Sequence, residues 1–195
     1  MTHLTRDEEL RAATVGELRP HDAPVVLAEY DPGWPAVYER EAARIRAVLG
    51  DLVQLLEHVG STSVPGLAAK PRIDILLIVP DSADEPAYVP AMVAAGYVLR
   101  IREPDWHEHR VFKGPDTDVN VHMFSPGCPE IARMLTFRDW LRTHDADRAR
   151  YEAAKRDLAR RTWHHVQDYA DAKTAIVESI LATAGAPGPW EPANG

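Results

Sequence analysis

Between His58 and Val79 two kinds of residue that do phosphate chemistry stand close in sequence. One is the small-residue run Gly60-Ser61-Thr62-Ser63; the other is Asp74, the one charge in Ile73-Asp-Ile-Leu-Leu-Ile-Val79. Small residues let an anion approach backbone N–H groups and hydroxyls, most effectively where a helix begins and its first donors lack partners. Ser61 is the leading candidate, because its hydroxyl and its N–H can donate to the same anion; the alternative is that Gly60 and Ser61 only make a tight turn. An ionised carboxylate inside an apolar strand must find a metal, a cation or several hydrogen bonds.

Cations form a second group: Lys70, Arg110, Lys113, Arg138, Arg142, Lys155 and Lys173. Arg138 and Arg142 stand four apart and share a helix face, where they repel unless an anion or acids lie between them. Pairing with Asp139, Asp145 and Glu152 is the plain alternative, common on wet helices and weak. His107 and His109 alternate as strand ligands might, but without a third ligand nearby they read as surface residues. His164 and His165 read as solvated, and Cys128 has no local nucleophile signature. Trp34, Trp106, Trp140 and Trp163 read as core, with an acceptor pocket as the other possibility.

The elements that must position these residues follow from periodicity. Thr5 to Thr14 reads as a short helix with a Thr cap and early acids. Val25 to Ala28 reads as an edge strand, and Pro35 opens a helix to Leu49 with Val37, Ile45, Val48 and Leu49 inward and Glu41 among its wet residues. Leu52 to His58 is a strand, and Val64 to Ala69 a short helical piece. Ile73 to Val79 is apolar on both faces, as a covered central strand is. A helix over Tyr88 to Ala95, ended by Gly96, precedes strands at 97–101, 109–113 and 118–124, the last two joined by a hairpin at 114–117. From Pro129 three helices close the fold, with stripes at Ile131, Met134, Leu135, Arg138 and Leu141 and at Tyr169, Ala172, Ile176, Val177 and Ile180. The class is α/β (α+β): a mixed sheet flanked by helices and closed by a C-terminal three-helix segment. An arm over 1–24 with a short helix, one domain over 25–184 and a loose tail over 185–195 are expected.

The 195 residues carry 22 Lys and Arg against 30 Asp and Glu, a net charge of -8. That balance argues against bulk nucleic-acid binding, which needs a positive surface, and leaves a small nucleotide held by a few placed cations. One cysteine, no basic and apolar leader and no membrane-length apolar stretch indicate a soluble cytoplasmic protein.

The segment from His58 to Val79 resembles the signature of the GrpB family, also called UPF0157. Glu29-Tyr-Asp-Pro-Gly-Trp34, Arg110-Val-Phe-Lys-Gly114, Asp118 to Ser125, Arg138-Asp-Trp-Leu-Arg142, Tyr151-Glu-Ala-Ala-Lys155 and Tyr169-Ala-Asp-Ala-Lys173 look like further family blocks, in family order, over roughly Val25 to Ala182. The resemblance implies a divergent polymerase-β-type nucleotidyltransferase-like fold and metal-dependent transfer of a nucleotidyl or adenylyl group to a small acceptor. It implies that Gly60, Ser61, Thr62, Lys70, Arg110, Lys113, Arg138, Lys155 and Lys173 meet the nucleotide's phosphates and that Asp74 is catalytic. Its cofactor would be magnesium or manganese, with a nucleoside triphosphate as substrate or ligand. The superfamily pattern also expects a second carboxylate two residues after Asp74, where this chain has Leu76. Asn120 and His122, sharing a face of a neighbouring strand, could complete an Asp, His and Asn set, and imidazole moves preference from magnesium toward manganese, zinc or another transition metal. A hydrogen-bonded Asp74 and His122 pair without metal is the alternative. Leu76 also favours a non-catalytic nucleotide-binding or accessory module, and related domains are fused to dephospho-CoA kinases.

Overall fold

The computed structural model of the chain describes residues 5–17, 25–163 and 166–188. These fall into two compact units, one of residues 5–17, 35–58 and 72–126, the other of residues 25–34, 59–71, 127–163 and 166–188. The expected tail beyond residue 188 and the pair His164 and His165 lie outside the described residues.

The first unit is built on a five-stranded sheet in the order β1-β2-β5-β4-β3. Its strands are β1 (Leu55–Val59), β2 (Ile73–Ile78), β3 (Val98–Glu103), β4 (His109–Lys113) and β5 (Val119–Phe124). β2 runs parallel to β5, whereas β4 is antiparallel to both β5 and β3, so the sheet is mixed. β2 is an interior strand between β1 and β5, as its two apolar faces require: Ile73, Ile75 and Leu77 are buried on one side and Leu76 and Ile78 on the other. Helix α1 (Arg6–Ala13) starts at a capping box in which Glu8 N–H donates to Thr5 Oγ1 at 3.4 Å and Thr5 N–H donates to Glu8 Oε2 at 2.7 Å. Val15 N–H, just beyond it, donates to the Arg100 carbonyl on β3. Helix α2 (Trp34–Leu49) carries Pro35 in its first turn and buries Ala42, Ile45 and Leu49. Glu41, expected to be wet, is also buried, because the Tyr97 hydroxyl donates to its Oε2 at 2.7 Å. Helix α3 (Glu85–Ala94) buries Tyr88 and Met92, and the Tyr88 ring meets Phe112 of β4 edge to face.

The second unit is helical: α4 (Pro129–Thr143), α5 (Asp145–Ala159), α6 (Val166–Asp171) and α7 (Thr174–Thr183). The last two correspond to the single third helix expected, interrupted by a turn at Ala172-Lys173. One core gathers Val64, Leu67, Leu141, Tyr151 and Ile180, and a second gathers Val25, Leu158 and Tyr169. Truncating a residue buried as fully as Leu141 destabilises by about 2–5 kcal/mol. Two local expectations fail. Residues 25–28 form one bridge, Ala28 to Ala69, and no strand. Residues 64–69 form no helix, since Pro65 precedes Gly66 at a left-handed φ of 77° and the chain turns there. Among the described residues no helix is long and apolar enough to cross a membrane.

Candidate functional site

Strand register decides which side chains of the sheet meet. β2 and β5 pair Asp74 with Asn120 and Leu76 with His122, and β4 brings Val111 opposite His122 and Lys113 opposite Asn120. Alternation along β4 then puts His109 on that same face, with Glu103 of β3 opposite it. Six polar residues, Asp74, Asn120, His122, Lys113, His109 and Glu103, therefore occupy one face of one sheet.

The contacts of all but Lys113 form a line. Asn120 Nδ2 donates to Asp74 Oδ1 at 2.9 Å. His122 Nε2 stands 3.7 Å from the same oxygen, longer than a direct hydrogen bond, and its Nδ1 is 3.2 Å from His109 Nε2. His109 Nδ1 in turn lies 2.7 Å from Glu103 Oε2. The Asp74 and His122 side chains remain 28% and 22% exposed, so the pair is reachable, whereas His109 is buried between Phe124 and the edge of Trp106. Burial acts to raise the Asp74 carboxyl, but His122, Asn120 and the Arg72 guanidinium act the other way and hold it below its ordinary range. Burial pushes the His109 ring down to about 4, against the pull of Glu103, so it is neutral at pH 7. Leu76, where a second carboxylate would stand, is sealed at 0% exposure.

In the helical unit the run after β1 makes a single 3-10 turn, Ser61–Ser63, and does not open an α-helix. Gly60 sits at φ 69°, ψ -173°, a region only glycine occupies readily. Ser63 Oγ donates to the Gly60 carbonyl at 2.6 Å, and Arg142 forks onto the Ser63 carbonyl at 3.0 and 2.9 Å. Thr62 and Ser63 are buried and Ser61 half-buried. Lys70 and Lys173 bring their ammonium groups over the Tyr169 ring at 5.5 and 4.8 Å. Lys155 is buried, donates to the Ala68 carbonyl and lies over Tyr151 at 4.8 Å.

Relatives place this geometry. A family model described as GrpB protein matches residues 24–183. The chain belongs to the GrpB family. A UPF0157 protein of Halalkalibacterium halodurans is 63% identical over 180 residues, covering 92% of each chain. The crystal structure of conserved protein GrpB from Enterococcus faecalis is 32% identical with a TM-score of 0.70, covering 82% of this chain and 96% of that one. A protein named dephospho-CoA kinase from Mycolicibacterium paratuberculosis is 32% identical over 177 residues, covering 77% of this chain and 44% of that protein.

The remaining candidates of this GrpB chain are mostly held by its own carboxylates. Buried Arg110 donates to Glu85 at 2.7 Å and Glu108 at 3.0 Å, Lys113 to Asp118 at 3.0 Å, and Arg138 to Asp139 at 2.8 Å. Asp139 also serves Arg142 at 3.4 Å, which is how two guanidinium groups share that face. Cys128 stands at the N-terminal boundary of α4 without a side-chain cap bond, its thiol pushed up by burial. Trp34 is core; Trp140 and Trp163 are part-buried, their indole N–H groups donating to Asp147 and to the Leu158 carbonyl. Two residues of the line, Glu103 and His109, were not expected. The alternation of His107 and His109 was visible, but not that β4 turns His109 toward β5.

A divalent cation tests the donor set. Among the described residues no group of three or more His, Cys, Asp or Glu could hold a metal. Asn120 turns its amide N–H to Asp74, leaving one carboxylate and one imidazole nitrogen. That pair fits an ion accepting nitrogen and oxygen, with water or substrate oxygens as its other ligands, better than it fits the oxygen shell of magnesium.

Proposed function

We propose that this GrpB protein is a cytoplasmic, cation-dependent nucleotide-binding protein that transfers a nucleotidyl or adenylyl group from a nucleoside triphosphate to a small-molecule acceptor. The observation that carries the reading is Asp74: one ionised acid on an interior strand, still reachable, with the Nε2 of His122 3.7 Å from its oxygen. Asp74 and His122 would hold the cation, whose part is to neutralise charge on phosphate oxygens. Asn120 orients the acid. Within the helical unit by itself, Ser61, Lys70 and Lys173 are proposed as donors to an anion of the phosphate type. Arg110, Lys113 and Arg138 take the role of fixing acids of the protein, given their partners.

Leu76 supports a second reading, a nucleotide-binding or accessory module without turnover, because one carboxylate cannot supply the usual pair. The two are separated by binding first and product second. Thermal unfolding with ATP, CTP, GTP and UTP, each with magnesium or manganese, should raise the midpoint by about 5–10 °C for the cognate nucleotide at a hundredfold excess over Kd. Manganese should outperform magnesium. No shift with any pair contradicts both readings, and a shift without nucleotidyl transfer to any acceptor leaves the second.

A further inference from the structure

A backbone loop carries an acceptor for nearly every donor, so it favours an anion only where its carbonyls are taken up and its donors are not. In the helical unit the loop over residues 60–69 does this for carbonyls around Ser61, without opening a helix. The Gly60 carbonyl accepts from Ser63 Oγ at 2.6 Å and from Ser63 N–H at 3.2 Å, and the Ser61 and Val64 carbonyls accept from Val64 and Leu67 N–H, each at 3.2 Å. The Ala69 carbonyl accepts from Ala28 N–H at 2.8 Å. Two more carbonyls are taken by cations. Arg142 holds that of Ser63 through Nε at 3.0 Å and Nη2 at 2.9 Å, and Lys155 holds that of Ala68. Among the described residues the Ser61 N–H and hydroxyl have no such partner, and Ser61 is half-buried, not sealed.

We propose that Arg142 is a positioning residue: it occupies the Ser63 carbonyl so that the turn meets a phosphate-type anion through the Ser61 hydroxyl and N–H, and it does not itself touch the anion. The inference rests on the reading of Ser61 as an anion donor and adds to it the residue that makes the turn selective. An uncovered Ser63 carbonyl, two residues from Ser61 in a tight turn, would bring partial negative charge toward the ligand and would leave the peptide planes free to rotate. Two N–H groups forked onto one oxygen fix its direction as well as its distance. The third guanidinium nitrogen, Nη1, donates to Asp139 at 3.4 Å, so all three nitrogens are engaged within the protein and an acid balances the charge. Donors ordered before the ligand arrives bind it more tightly, because little ordering is left to do.

The test uses the full chain and inorganic pyrophosphate alone, with neither metal nor nucleotide. In wild type the Ser61 amide should shift saturably in the nitrogen-proton spectrum, and Arg142 Nε should keep its scalar coupling to the Ser63 carbonyl carbon with pyrophosphate bound. Affinity should fall about 10-fold in Arg142→Ala, as for the loss of one charge-assisted hydrogen bond. Arg142→Gln places an uncharged amide nitrogen as many bonds from Cα as Nε, can donate to the same carbonyl, and should recover most of that loss. A direct charge contact would instead leave Arg142→Gln as weak as Arg142→Ala. Equal affinity in wild type and Arg142→Ala, no recovery in Arg142→Gln, or loss of the coupling on pyrophosphate binding overturns the inference and leaves Ser61 standing as an anion donor. The coupling is read in wild type, so the outcome does not depend on either variant folding. A Ser61 amide that pyrophosphate does not move overturns the anion reading of the turn as well.

Discussion

Lys155 shows how far burial moves a single residue. Its side chain is 2% exposed, its ammonium donates to the Ala68 carbonyl, and burial first, then the nearby Lys173, push the amine down to about 7. In the unfolded chain the same amine titrates near its ordinary 10.5. Between those values the unfolded state binds more protons than the folded one, so this group makes stability rise with pH across that window. Denaturant unfolding at pH 7, 8 and 9 should show wild type gaining stability relative to Lys155→Met, by up to about 1.4 kcal/mol per pH unit. Parallel slopes would show that the amine is not buried as described. At this scale Asp74 was legible, because an acid in an apolar run has few innocent explanations. Lys155 and His109 were not, since lysine reads as solvated and alternation does not say which face a strand turns to the core.

Among the elements, the turn at Gly60 depends on one glycine and one arginine. Gly60 occupies a backbone region closed to side chains, so Gly60→Ala should cost about 1–3 kcal/mol in a urea titration. A variant as stable as wild type would mean that the turn adopts another conformation. Arg142, forked on the Ser63 carbonyl, holds the far end of the same turn. Strand β2, the 114–117 hairpin and helices α2, α4 and α5 were legible from period and turn residues. The supposed helix at 64–69 was not, because Pro65 and Gly66 act together as a turn. Without a helix opening after the turn, the argument from unpaired first-turn donors falls as well. The last helix breaks at Ala172-Lys173, where the hydrophobic stripe continues and gives no warning.

For the molecule as a whole, the mixed sheet and closing helices followed from the order of periodic segments, but the strand order β1-β2-β5-β4-β3 could not. Parallel pairing of β2 with β5 joins residues 46 apart, Asp74 and Asn120, and no local pattern encodes such a partnership. The glutamate and two histidines lined up with Asp74 are legible only once that register is known. A net charge of -8 suits the proposed ligand, a nucleotide gripped by placed groups, better than a nucleic-acid backbone held by a positive surface. The central claim is that Asp74 makes nucleotide binding depend on a cation. Calorimetric titration of the cognate nucleotide with and without manganese, on wild type and on Asp74→Asn, tests it most directly. The account predicts manganese-dependent binding in wild type and a loss of about 100-fold in the variant. Equal affinity in the two proteins, or an affinity indifferent to manganese, would contradict it.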